Sequence, residues 1–198
     1  MEIEKIQVVN GSNIWTTQTQ KLIQMRLKIG NLELKSTNEI EGFSDRIKTL
    51  IPSLYSRKCH LGITGGFFRT LDKGISIPEV IAHIAAELQT LAGTETAFSK
   101  VIKSESNGLY NIVVSYVHED AGIYALMAAV EMVEALLKGT PYFIRYDIQR
   151  LKEINKENLV ALTSQETKYF RLNHHETVKV GYVINQHSKI NQSLQQAR

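Results

Sequence analysis

Between Ser76 and Gly93 the chain specifies a helix with little room for solvent around it. Residues 80–88 read VIAHIAAEL, and all of them except His83 and Glu87 are apolar. A helix that is apolar around most of its circumference has to be covered on several sides. Its ends are written locally. Ser76 and Glu79 have the S-x-x-E spacing of a capping box, Pro78 falls within the first turn, and Gly93 is a natural stop. The spacing predicts a helix over 79–91, and that helix needs other layers to bury it.

Those layers are legible nearby. Residues 2–9 alternate between polar and apolar, which predicts a strand with Ile3, Ile6 and Val8 toward the core. Residues 21–29 alternate again through Leu22, Met25, Leu27 and Ile29. LYNIVVSYV at 109–117 is rich in β-branched and aromatic side chains and reads as another strand. A second long helix is expected over 121–138, opened by Glu119 and Asp120 and closed by Gly139 and Pro141. A short helix over 44–50 ends near Pro52, a loop covers 56–66, and a more polar helix covers 144–158. Residues 169–172, 178–183 and 190–194 read as short strands.

Strands and helices mix without regular alternation, so the expected class is α+β: a mixed or antiparallel sheet with two long helices packed on it. With 198 residues and 43% apolar content, the chain can build one compact domain, expected over 1–160, followed by a basic segment over 161–198.

Charge is unevenly placed. Residues 1–137 carry a net −2 and residues 138–198 a net +5. There is no Lys/Arg run and no aromatic interleaving, so a solvated surface is expected and nucleic-acid binding is not. The first residues, MEIEKIQVVN, are not a signal peptide, and no apolar run approaches the length of a bilayer span. Cys59 is the single cysteine and reads as buried filler, so no internal disulfide can form and a cytoplasmic location is expected. His174 and His175 read as surface residues.

Several catalytic signatures are missing from the sequence. There is no G-x-x-x-x-G-K-[ST], no G-x-G-x-x-G and no G-x-S-x-G. Gly62, Gly65 and Gly66 cluster, but no phosphate-reaching Lys follows them.

A series of short motifs runs in order along the chain: NGSNIW at 10–15, KLIQMRL at 21–27, N-E-I-x-G-F from Asn38 to Phe43, Pro52-Ser53-Leu54, and C-x-x-G-x-x-G-G-F from Cys59 to Phe67. H-x-x-x-E-L-Q-x-L-A-G follows from His83 to Gly93, then GLYNIVVSY at 108–116, FRLN at 170–173 and VGY at 180–182. In this order they resemble the amino-terminal domain of cyanophycin synthetases, and the last two resemble the lead-in to that family's ATP-grasp domain. The family makes a branched polymer of aspartate and arginine with ATP, using an ATP-grasp domain and a muramyl-ligase-like domain that both lie beyond the matched region. The resemblance therefore implies a polymer-handling domain and not ligase activity for these residues.

The same resemblance points to a site. The family's long helix often carries H-x-x-E-H with a further Glu four residues later, an inverted zinc-peptidase pattern. Aligned on the shared E-L-Q, this chain has Glu79 in place of the first His and Ala82 in place of the Glu, and keeps His83 and Glu87. Glu79, His83 and Glu87 fall at i, i+4 and i+8 along one helix face, where one His and two carboxylates are a ligand set for a divalent ion such as zinc. Ala82 cannot act as a base. The alternative is that Glu79, His83, Glu87 and Thr90 form the wet stripe of a buried helix.

Arg69, Lys100 and Lys103 lie near family motifs and are candidates for pairing with polymer carboxylates. Trp15, Phe67, Phe68 and Tyr116 read as core aromatics. The expectation is a non-catalytic binding or scaffold domain that needs no cofactor. Its partners would be cyanophycin or a related peptide polymer, or a separate ligase chain, with homo-oligomerisation left open. The rivals are a metal-dependent peptidase at the helix stripe and an interaction domain no longer tied to the polymer.

Overall fold

The protein was analysed as a computed structural model that describes residues 1–12, 19–57, 62–96 and 98–172, with backbone only at 12, 19–20 and 162–172. Four strands, β1 (Glu2–Ser12), β2 (Thr19–Lys28), β3 (Ser99–Lys103) and β4 (Leu109–Ser115), form a sheet in the order β1-β2-β4-β3. All three pairings are antiparallel. Period-2 alternation sorts the central strands. Ile23, Met25 and Leu27 of β2, and Ile112 and Val114 of β4, are fully buried on one face, while Gln24, Arg26 and Asn111 point to the other.

Helices α1 (Phe43–Leu50), α2 (Gly66–Lys73), α3 (Ile77–Leu91), α4 (Glu119–Lys138) and α5 (Ile144–Leu172) complete the fold. The α+β expectation, with two long helices on the sheet, holds. α3 packs over β3 and β4, and α4 lies beside it against β2. Alanines line both helices at the contact: Ala82, Ala85 and Ala86 on α3, and Ala121, Ala125, Ala128 and Ala129 on α4, all buried. Small side chains let the helix axes approach closely. α4 approaches the sheet closely at Gly122, where an added Cβ would lie 2.5 Å from Ile23 Cδ1 and 2.8 Å from Tyr116 Cβ. Only glycine fits there.

The helix ends follow the local signals. Glu79 accepts hydrogen bonds from the backbone N–H and the hydroxyl of Ser76, both at 3.0 Å. Such a cap stabilises a helix by about 1 kcal/mol. Gly139 closes α4 in the left-handed conformation, with φ +67°.

Four readings need correction. Val8 is on the core-facing side of β1, opposite Ile23, but it lies on an edge strand and is 38% exposed. Ser99–Lys103 is a strand that the alternation of 1–117 did not reveal. Helix α5 continues to Leu172, so 169–172 is helical and not a strand. Phe68 and Tyr116 are only half-buried, whereas Phe67 is fully buried. Trp15, Cys59, His174, His175 and the strands expected at 178–183 and 190–194 lie outside the described residues.

Residues Met1–Lys156 form one compact unit and Glu157–Arg198 a second. Within the first, α5 is anchored by Leu151 and Ile154 in the core and by the buried Asp147. Tyr124 donates its hydroxyl to Asp147 at 3.0 Å, and Tyr142 donates to the Ala128 carbonyl at 3.3 Å. Burial first, and then its hydrogen bond to Asp147, pushes the Tyr124 phenol up to about 12, and burial beside the same carboxylate pushes that of Tyr142 higher still. An unfolded tyrosine ionises near ~10. The stability these phenols contribute is therefore complete below pH 10 and is lost as pH rises toward 12. Melting temperature should fall between pH 10 and pH 12, and the fall should be smaller in Tyr124→Phe. An equal fall in both proteins would remove Tyr124 as the cause.

Candidate functional site

α3 presents its polar residues as a stripe, and each is engaged. Glu79 is exposed and occupied with Ser76 at the helix start. His83 is half-buried, and its imidazole stacks on Phe67 with ring centres 4.6 Å apart. Glu87 is 5% exposed. Its Oε2 accepts a hydrogen bond from Arg57 Nε at 2.6 Å, a charge-assisted contact. A second guanidinium nitrogen of Arg57 donates to Thr90 Oγ1 at 2.9 Å. The Arg57 carbonyl accepts the N–H of Phe67 at 3.4 Å, which holds the start of α2 beside this pair.

The three residues that the sequence offered as metal ligands therefore share a helix face without converging. Among the described residues no group of three His, Cys, Asp or Glu side chains is placed to hold a metal ion. Ala82, where the resemblance puts a general base, is a buried methyl group. Arg57 is the residue that sequence reasoning missed, since it lies 30 positions from Glu87. It supplies the positive charge that the Glu87 carboxylate would otherwise seek.

The three candidate cations are dispersed. Arg69 is exposed on α2, on the helical side of the sheet. Lys100 and Lys103 are three apart on β3 and so face opposite sides. Lys103 is bound by Glu33 at 2.5 Å, and Tyr110 donates to the same carboxylate at 3.4 Å. The Lys103 hydrogen bond is the main cause that holds Glu33 below the usual carboxylate range, and Glu33 in turn raises Lys103. Lys100 is exposed and is in no ion pair among the described residues.

Two long alanine-faced helices on one side of a four-stranded antiparallel sheet, with a polar helix stripe closed by an arginine, define an α+β domain. Comparison with known proteins gives the family. The cyanophycin synthase-like N-terminal domain matches residues 23–138, and the chain belongs to that family. Cyanophycin synthetase of Geminocystis herdmanii is 31% identical over 198 residues, covering 94% of this chain and 23% of that protein. The enzyme of Trichormus variabilis is 32% identical over 197 residues, covering 93% of this chain and 22% of that protein. That of Synechocystis sp. is 29% identical over 198 residues. The chain thus spans less than a quarter of the length of these relatives. Among the described residues no helix is long and apolar enough to cross a membrane.

Proposed function

We propose that this chain is a polymer-handling domain that binds cyanophycin, or a related aspartate/arginine polymer, without cutting it. It acts in the cytoplasm, alone or beside a separate ligase chain that supplies the ATP-dependent chemistry. Family membership supports the link to the polymer. The observation that carries the absence of turnover is the Arg57–Glu87 pair. A guanidinium 2.6 Å from the carboxylate already neutralises the one stripe residue buried enough to serve as a strong ligand. Ala82 cannot supply a base at its helix position, and binding alone requires no cofactor.

The test is to incubate the full chain with purified insoluble cyanophycin, with and without added zinc. The pellet is assayed for protein, the supernatant for released peptide, and the purified protein for metal. The expected result is protein in the pellet, no released peptide under either condition, and zinc far below one per chain. Zinc-dependent release would make the domain a hydrolase. Protein that stays in the supernatant would remove the polymer from its function.

A further inference from the structure

The face of the sheet turned away from the helices carries an ordered polar array. Strand register lines up Lys5, Arg26, Asn111 and Ile102 in one row across β1, β2, β4 and β3, and Gln7, Gln24, Val113 and Lys100 in the next, so that one aliphatic side chain interrupts each otherwise polar row. Gln7 Nε2 donates to Gln24 Oε1 at 2.9 Å, and Gln24 Nε2 donates to Asn111 Oδ1 at 3.0 Å. These two bonds tie three amides into a ladder across three strands. Each amide keeps further donor or acceptor capacity for a ligand. Lys5, Gln7, Gln24, Arg26 and Asn111 line a depression of about 130 Å³. At ~30 Å³ per water, that is room for one carboxylate or guanidinium head group at a time.

The two rows hold three cations, and one carboxylate, that of Glu4, reaches them. Arg26 shares its charge with Glu4 at 3.1 Å, whereas Lys5 and Lys100 are exposed and in no ion pair among the described residues. They stand on opposite edge strands of the four, three strand spacings or roughly 14 Å apart across the sheet. Edge lysines also discourage edge-to-edge pairing, which accounts for each of them singly. It does not account for an ordered amide ladder on the strands between them.

We infer that this open sheet face is a binding surface for an extended, carboxylate-bearing amide polymer. Carboxylates seat on Lys5, Arg26 and Lys100, and the ladder takes the polymer's amide or guanidinium N–H groups on its oxygens. Side chains already held by one another lose little freedom when they bind, so the array is preorganised. The inference rests on the proposed polymer-handling role and gives it a location, on the side of the sheet opposite α3.

The test uses two probes on the full chain, insoluble cyanophycin by co-sedimentation and deca-L-aspartate by calorimetry. Lys5→Glu/Lys100→Glu is compared with Lys73→Glu/Lys152→Glu, which makes the same change in net charge on exposed helix positions. Loss of two charge-assisted contacts should weaken binding of both probes by about tenfold or more, and the second pair should stay within about threefold of wild type. Matched melting curves verify folding. Wild-type affinity in Lys5→Glu/Lys100→Glu would overturn the sheet face while leaving polymer handling in place. Equal losses in the two double variants would also overturn it, because only net charge would then matter. If wild type binds deca-aspartate through these lysines but not cyanophycin, the face stands and the polymer reading falls. Binding of neither probe removes both.

Discussion

Arg57→Ala should lower the melting temperature by about 6–12 °C. Removing one member of a buried ion pair leaves the other charge without compensation, at a cost of roughly 3–5 kcal/mol. The Glu87 side chain is 7% exposed and that of Arg57 is 19% exposed, so the lower end of that range, ~3 kcal/mol, applies. For a domain of this size each kcal/mol shifts the melting point by roughly 2–4 °C. Truncation also removes the hydrogen bond to Thr90 Oγ1. The double variant Arg57→Met/Glu87→Leu should recover most of the loss, because replacing both charges with apolar groups leaves nothing buried and unpaired. Differential scanning fluorimetry on the three proteins decides it. An Arg57→Ala protein that melts within about 2 °C of wild type would show that Glu87 finds water or another partner, and the pair could then not be what closes the helix stripe.

How much of this was legible in the sequence depends on how local each cause is. The ends of α3 were readable because Ser76, Glu79 and Gly93 act on backbone groups within a turn of themselves. β2 and β4 were readable because their alternation is long and strongly apolar. β3 was not. Its five residues, SKVIK, include two lysines, and it becomes a strand through its pairing with β4, with Val101 opposite Ile112. The FRL segment near the end of α5 reads as strand by composition, but extending an existing helix adds one hydrogen bond per residue without a new nucleus, and the helix runs on through it.

The candidate site divides along the same line. Glu79, His83 and Glu87 were found by spacing on one helix. Arg57 is brought to Glu87 only by the packing of the chain before α2 against α3, which no periodicity records. Gln7, Gln24 and Asn111 could each be recognised as outward-facing by alternation. That they bond in a line follows from a register that includes an irregularity between Ile3 and Lys5. A one-residue slip would turn the whole set to the other face.

Phe67→Ala should be the more damaging change, at about 3–5 kcal/mol, or roughly 6–20 °C in melting temperature. The Phe67 side chain is fully buried, with its ring 5.9 Å from that of Phe68 and 4.6 Å from that of His83. α2 has eight residues, too few to be stable in isolation, so its place against α3 depends on Phe67 and Leu71. The cavity would also release the imidazole of His83 from its stacking partner. This variant separates the two sides of the molecule. Phe67 belongs to the helical layer, and the amide ladder lies on the far face of the sheet. At a temperature well below its own melting point, Phe67→Ala should therefore co-sediment with cyanophycin as wild type does. A protein that is folded by circular dichroism yet no longer binds would place the polymer on the α2–α3 layer, beside His83 and the Arg57–Glu87 pair, and would take it off the sheet.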